Sequence, residues 1–251
     1  MQRDDDVLVL VAHGTRSARG VEMVAALADA VGTRVGRTRV AFVDVLGPSP
    51  SEVLRDTPGR AILVPAFLAS GYHVHTDVRR EVTLSEHSAV SVTPALGPDP
   101  ALARVLLRRL TEAGWNPGDA TVLAAAGSSD ARALRDVERA ALMLAEAAGT
   151  RVDIGYIATG EPKVADVVAA AAARVRGAKR VFVASYLLAH GLFHERLHAA
   201  GADGVTEPLG VDPGVVDLVV NRYESARREL VSLHDVSLRN ADVCRPGRSS
   251  S

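Results

Sequence analysis

Three residues whose side chains can bind a transition metal follow apolar runs in the first third of the chain. His13 comes directly after Val7–Ala12, Asp44 ends the run that starts at Ala41, and His73 closes a segment rich in apolar residues. Two imidazoles and one carboxylate suit Fe²⁺, Co²⁺ or Ni²⁺ and leave coordination positions open for an incoming ligand. These residue types predict a metal site, but their spacing does not name a substrate.

The elements that must position these residues are strands of a parallel sheet. Short β-branched runs alternate with longer segments of helical period, which indicates an α/β protein built from βαβ units. Since ligands bind beyond the carboxyl ends of parallel strands, residues that follow different strands converge on one edge. The predicted strands are Val7–Val11, Arg39–Val45, Ala61–Pro65 and Val90–Thr93, then Thr121–Ala125, Val152–Ile157, Arg180–Ser185 and Val205–Pro208.

The order of elements begins again after Gly114–Gly118, a stretch whose composition suits a linker. We therefore expect two tandem-duplicated domains, residues 1–114 and 119–235, each a parallel sheet with helices on both faces, and a flexible tail at 236–251. Aligning the halves places Ala126, Ala158 and Phe193 at the positions of the three ligand types. One metal site is expected, with the second half as its opposing wall; the alternative is a second half kept for folding alone.

Composition excludes several functional classes. Lys and Arg total 29 against 30 Asp and Glu, so no global field favours nucleic acid or an anionic membrane. The first apolar run is too short for a signal or membrane segment, and the single cysteine, Cys244, supports neither a disulfide framework nor a thiolate cluster. These features predict a cytoplasmic protein whose partners are small molecules.

Around these three candidate metal ligands the chain resembles a known family, the sirohydrochlorin chelatases. These are class II metal chelatases of sirohaem and cobalamin biosynthesis. The resemblance spans about residues 7–235, in a long two-domain form. It rests on the segment from His13 to Arg16, on Ala41-Phe42-Val43-Asp44 followed by Pro48-Ser49-Pro50, and on the block from Val64 to Val74 with Asp77. The family's two motif histidines hold the metal, which carries over to His13 and His73. The family usually has Glu where Asp44 stands, so Asp44 is ranked below them, as a proton acceptor or a residue that supports the ligands.

The resemblance implies a lyase that inserts Fe²⁺ into sirohydrochlorin without ATP. The resemblance also implies that the divalent metal is a substrate. No P-loop or G-x-G-x-x-G motif is present, so no organic cofactor is expected. Cobalt insertion for cobalamin synthesis and a non-catalytic metal or tetrapyrrole carrier remain alternatives, and the chain is expected to be a monomer or homodimer. The residues expected to position the carboxylate-rich macrocycle are Arg16, Ser17, Ser70, Gly71, Arg79 and Arg80.

A rival signal lies in the second half. Residues 194–198 read His-Glu-Arg-Leu-His and match the H-E-x-x-H zinc motif of metalloproteases. The segment is short and follows a predicted strand, and a bare motif match is a weak signal. With His190 these histidines form a row at i, i+4 and i+8, which is interpreted either as a metal-entry path or as a partly exposed helical face.

Overall fold

A computed structural model describes residues 6–71, 76–175 and 179–243, with side chains to residue 230. Strands and helices alternate through this part of the chain. The strands are β1 Val7–Ala12, β2 Thr38–Phe42, β3 Ala61–Pro65, β4 Val90–Val92, β5 Ala120–Gly127, β6 Val152–Thr159, β7 Val181–Tyr186 and β8 Gly204–Val205. The helices are α1 Ala18–Val35, α2 Pro50–Arg55, α3 Val78–Ser85, α4 Pro100–Glu112, α5 Ala131–Ala148, α6 Val164–Arg174, α7 Leu192–Leu197 and α8 Pro213–Val243.

The strands form two parallel sheets of four, with strand orders β2-β1-β3-β4 and β6-β5-β7-β8. The same order in both halves confirms the predicted tandem duplication and the α/β fold class. β1 lies at the centre of the first sheet and pairs in register with β2 and β3, for example Leu10 with Val40 and Val64. The carboxyl ends of these three strands therefore meet at one edge.

Each sheet is covered by helices on both faces. In β1, the side chains of Leu8, Leu10 and Ala12 pack into a large core with α1, α4 and α8, whereas those of Val7, Val9 and Val11 pack towards α2 and α3. The second sheet repeats this division, with α6 and α7 on its outer face. The large core also contains residues of β5 and β7, so the two sheets share one central layer of helices.

The last helix of each half packs on the other half. α4 contacts β7 and α5, while α8 contacts β3 and α1, and the two exchanged helices also touch each other. An arginine on each of these two helices donates to a backbone carbonyl of the other half. Arg109 of α4 donates to the carbonyl of Leu209, and Arg222 of α8 donates to that of Leu96. Arg222 also pairs with Asp99, the N-cap residue of α4. Each half therefore supplies part of the helical cover of the other.

Several boundaries predicted from the sequence need correction. β2 was predicted to run to Val45 but ends at Phe42, because a tight turn at Val45 takes the chain away from the sheet. β8 ends at Val205 rather than Pro208. α8 stays helical to Val243, into the segment 236–251 that composition sets apart as a tail. Within the described ranges, no helix is both long and apolar enough to cross a membrane.

Candidate metal centre

His13 is presented by a fully buried strand of the first half. All six residues of β1 are buried, and the chain emerges at its carboxyl end with 45% of the His13 side chain exposed. His13 Nδ1 lies 3.0 Å from the carbonyl oxygen of Gly14. Because a carbonyl only accepts, Nδ1 carries the hydrogen of this bond, and in a neutral imidazole the lone pair is then on Nε2. This is the tautomer that metal binding through Nε2 needs, and the neighbouring backbone carbonyl holds it.

Asp44 lies beside that nitrogen. Its Oδ2 is 3.8 Å from His13 Nε2, and 60% of its side chain is exposed. Its other oxygen, Oδ1, accepts the N–H of Val45 at 2.7 Å. One carboxylate oxygen thus holds the local backbone while the other faces the imidazole. The structure therefore brings together two of the three predicted ligand types.

The turn after Asp44 has an unusual backbone. Leu46 N–H donates to the Asp44 carbonyl at 2.8 Å, a bond that spans two residues, and Val45 between them has φ of +68°. Together these features define a γ-turn of the rare positive-φ form, which β-branched residues seldom adopt. Gly14 packs directly on this turn, since a Cβ built on Gly14 would lie 2.0 Å from the Asp44 carbonyl oxygen. Only glycine lets the His13 loop approach Asp44 this closely.

The third predicted ligand, His73, lies outside the described residues, as do its neighbours from 72 to 75. The loop that leads to it is described as far as Gly71. Tyr186 of β7 donates its hydroxyl to the carbonyl of Leu68 at 2.8 Å, and Ser70 N–H donates to Asp136 of α5 at 2.8 Å. Two side chains of the second half therefore hold a loop of the first.

Tyr186 keeps its proton in this position. Its side chain is buried, and burial, with smaller contributions from Asp136 and Asp99, raises its pKa far above the ordinary value of 10. The hydroxyl therefore stays a donor to Leu68 throughout the pH range in which the protein would work. Neither Tyr186 nor Asp136 was singled out in the sequence. A tyrosine at the end of a mostly apolar strand, whose hydroxyl must find a partner when buried, was the available signal for Tyr186.

The residues predicted to bind the macrocycle lie in three places. Arg16 and Ser17 follow His13, and Ser17 is the N-cap residue of α1, although its hydroxyl makes no capping hydrogen bond. Arg79 and Arg80 are exposed in the first turn of α3, beyond residues 72–75. The remaining two, Ser70 and Gly71, are half-buried against the second half, where a Cβ on Gly71 would lie 3.3 Å from that of Ala133.

The second half repeats one backbone contact of the first without the predicted ligands. A Cβ on Gly127 would lie 1.6 Å from the carbonyl oxygen of Thr159, which repeats the contact between Gly14 and Asp44. The residue before Gly127 is Ala126, as the alignment predicted, but the structural counterpart of Asp44 is Thr159 rather than Ala158. An irregularity in the pairing of β5 with β6, between Ala125 and Gly127, accounts for the one-residue difference.

The histidine row of the second half is built differently from a zinc site. His194 is buried, and its Nε2 lies 2.9 Å from the carbonyl oxygen of Thr206. α7 is only six residues long, and the rings of His194 and His198 meet edge to face at 5.2 Å. His190, also buried, pairs with the carboxylate of Glu207 at 3.0 Å. The histidines of this row therefore contact one another and residues of the second half.

Within residues 6–71, 76–175 and 179–243, no group of three or more His, Cys, Asp or Glu side chains is arranged to hold a metal ion. That result applies to the histidine row and to the pair of His13 with Asp44. A metal at His13 would therefore draw on a ligand beyond these ranges or on the bound substrate.

Comparison with known proteins places both halves in one family profile. The CbiX profile matches residues 7–113 and again residues 120–226. No curated protein sequence matches the chain.

Several solved structures share its fold over nearly the whole length. SirB from Bacillus subtilis with Fe³⁺ is 20% identical, with 88% of this chain and 95% of that chain covered at a TM-score of 0.74. The sirohydrochlorin chelatase SirB from Bacillus subtilis subspecies spizizenii in complex with cobalt is 18% identical, with 89% and 96% covered at 0.70. CbiX, the terminal enzyme of sirohaem biosynthesis in denitrifying bacteria, is 24% identical, with 88% and 99% covered at 0.65.

Proposed function

The chain belongs to the CbiX family, one repeat of which fills each half, and we propose that it is an ATP-independent chelatase that inserts Fe²⁺ into sirohydrochlorin to give sirohaem. The family match covers both halves, and the solved structures of the same fold include proteins named as a sirohydrochlorin chelatase and as a terminal enzyme of sirohaem biosynthesis. The resemblance stated from the sequence is confirmed at the level of the family.

The observation that carries the proposal is the orientation of His13. The Gly14 carbonyl directs the Nε2 lone pair of the neutral ring towards the side on which Asp44 lies. A neutral imidazole binds a divalent ion of the first transition series while leaving positions for the pyrrole nitrogens. His73 is proposed as the second ligand, on the family resemblance alone.

The reaction exchanges two pyrrole protons for one metal ion, so it needs a group that accepts a proton near the metal. Asp44 suits this role because one oxygen is occupied with the N–H of Val45 while Oδ2 lies towards His13 and solvent. We assign Asp44 to proton transfer rather than to direct ligation. Its side chain is one methylene shorter than the Glu that usually stands at this position in the family.

Substrate carboxylates are proposed to meet Arg16, Arg79 and Arg80, whose exposed guanidinium groups suit bidentate contacts. Ser17 and Gly71 complete the set of polar contacts near the loop ends. Ser70 contributes through its hydroxyl, because its N–H is already donated to Asp136. The reaction then takes place in the cytoplasm, with the metal as substrate and no organic cofactor.

Cobalt is the second candidate metal. One solved relative of the same fold carries Fe³⁺ and another carries cobalt, so the fold accommodates both. Imidazole ligands suit Fe²⁺ and Co²⁺ alike, and the affinity order of divalent ions does not select between them. The two metals must be compared directly on the same protein.

The test is anaerobic spectrophotometry of sirohydrochlorin with the purified protein and either Fe²⁺ or Co²⁺. Wild type should insert metal faster than the protein-free reaction, and His13→Ala should lose that acceleration. His198→Ala is the matched control, since His198 is an exposed histidine of the second half and should leave the rate unchanged. Tight tetrapyrrole binding without turnover would instead identify a carrier, and equal rates for His13→Ala and wild type would remove His13 from the site.

A further inference from the structure

The loop that leads from β3 towards His73 is held from both halves of the chain. We call residues 66–71 the β3 loop. Nearest the sheet, backbone groups of the first half hold this loop. At its far end the second half takes over, since Ser70 N–H donates to Oδ2 of Asp136 at 2.8 Å. Ser70 is three residues before His73, so this bond fixes the chain close to the second predicted ligand.

Asp136 is well placed to fix a backbone position. It lies in the second turn of α5, an 18-residue helix whose start is capped by the side chain of Asp130. Only 14% of its side chain is exposed, and its Oδ1 lies 3.5 Å from Nη1 of Arg139. A hydrogen bond to an ionised acceptor is about twice as strong as a neutral one. A loop that is held from a helix in this way is positioned more precisely than one held by another loop.

A second anchor lies two residues earlier in the β3 loop. Tyr186 donates to the carbonyl of Leu68, and a Cβ on Gly97 would lie 2.2 Å from that carbonyl oxygen, so backbone also packs on the loop there. One anchor would let the chain pivot, whereas two restrict both its place and its direction. The three residues from Ser70 to His73 can span about 11 Å when extended, so a β3 loop released at Ser70 leaves the imidazole a wide range of positions.

The carboxylate that holds the β3 loop is found in one half only. α1 and α5 are both 18 residues long, and their sixth residues are Met23 and Asp136, respectively. A thioether is a weak acceptor, so α1 does not offer the second half what α5 offers the first. The half without the predicted ligands thus carries the acceptor for the loop that leads to one of them.

We propose that Asp136 is a positioning residue of the metal centre: by holding Ser70 from the second half, it keeps His73 within reach of a metal bound at His13. This inference rests on the proposed function, with His73 as second ligand. It adds a role for the second half that folding alone does not give. Asp136 touches neither metal nor substrate in this role. It acts by ordering the β3 loop in advance, so that the cost of ordering it is not met when the metal binds.

The test titrates Co²⁺ into the full-length protein under anaerobic conditions and follows the visible absorption of the bound ion. Asp136→Leu keeps the approximate size of the side chain but removes the acceptor. The Kd for Co²⁺ should rise about tenfold, the lower end of the loss that follows when a residue supporting a ligand is removed. Asp136→Asn should recover most of the affinity, because its amide oxygen still accepts the Ser70 N–H.

Asp153→Leu is the matched control for the loss of a carboxylate in the second half. Asp153 has the same exposed fraction as Asp136, 14%, and it pairs with Arg151 and Arg174. Its replacement should lower the Tm and leave the Kd for Co²⁺ unchanged. A Kd that rises equally in Asp153→Leu and Asp136→Leu would show a general effect of stability and overturn the positioning role.

A double-mutant cycle with His73→Ala tests whether Asp136 acts through His73. His73→Ala alone should weaken Co²⁺ binding, and adding Asp136→Leu should weaken it no further. Equal Kd values for wild type and Asp136→Leu would refute the positioning role, as would a full tenfold loss from Asp136→Leu in a protein that already lacks His73. A Kd that neither His13→Ala nor His73→Ala changes would overturn the proposed metal centre, and the positioning role with it.

Discussion

Gly14→Ala should damage metal insertion far more than its size suggests. The added Cβ would lie 2.0 Å from the Asp44 carbonyl oxygen, whereas real Cβ atoms essentially never approach below 3.0 Å. The His13 loop and the γ-turn must therefore separate by about 1 Å. A displacement of that size in a catalytic arrangement costs about 100-fold in rate. We expect the rate of metal insertion to fall by about that factor, and overpacking to lower stability by about 1–3 kcal/mol.

Gly127→Ala is the matched variant, since it makes the same backbone clash in the half without ligands. Its Cβ would lie 1.6 Å from the Thr159 carbonyl oxygen, and Gly127 has φ of +91°, so it should destabilise the protein at least as much as Gly14→Ala does. The rate of metal insertion per folded molecule should nevertheless stay within a few-fold of wild type. Gly32→Ala, in a helix with its nearest neighbour at 3.5 Å, should stabilise by about 0.5–1 kcal/mol.

The assay pairs anaerobic metal insertion with thermal unfolding on the same preparations. For a chain of this length, 1–3 kcal/mol corresponds to about 2–12 °C in Tm. Equal losses of rate in Gly14→Ala and Gly127→Ala, after correction for the folded fraction, would refute the proposal that the first half alone holds the reacting metal. Wild-type activity in a folded Gly14→Ala protein would refute the close approach itself.

Three further predictions concern the contacts around the site. Tyr186→Phe removes the hydroxyl that holds Leu68 and should lower the free energy of unfolding by about 1–2 kcal/mol in urea titrations; no change would mean that the bond to Leu68 is not formed in solution. The pKa of His190 is lowered by burial first and then by a nearby arginine, so its protonation favours the unfolded chain and stability should fall as pH drops through and below 6.5. The Tm of His190→Gln should fall less than that of wild type between pH 7.5 and 5.5. An identical fall in Tm for both proteins would contradict this assignment. Arg222→Met should lower the free energy of unfolding by about 1–3 kcal/mol, because Asp99 and the carbonyls beside it lose their donor. An unchanged urea midpoint would show that the packing of α4 and α8 does not depend on this contact.

The spacing of apolar residues was sufficient to predict the α/β fold class and the repeat of the fold in the two halves. β3 occupies the predicted residues, and β1 extends only one residue further, because fully buried strands at the centre of a sheet are marked by continuous apolar runs. β2 was extended too far because Val43 and Val45 have strand-like side chains. Composition does not reveal that Val45 takes a positive φ, since its conformation is set by the contacts of Gly14 and Asp44.

The pairing of His13 with Asp44 was predictable because both follow neighbouring strands. The contributions of Tyr186 and Asp136 were not, because they depend on how the two halves pack. Helical period identifies the apolar face of α4 or α8 but not which sheet that face will cover. The motif at His194 was misleading for a related reason: spacing places two histidines on one helical face, whereas packing turns one of them to the carbonyl of Thr206.

The exchange of α4 and α8 bears on how such a chain could arise. Each sheet lacks part of its helical cover until the other half supplies it, so a protein consisting of one half would expose that face unless a second copy docked its own last helix there. Two identical copies would carry two identical sets of ligands. Once joined through residues 113–119, the copies are free to diverge, because a change in one half no longer alters both. Ala126 stands where the first half has His13, so the two halves keep the same strand order while their side chains differ at this position.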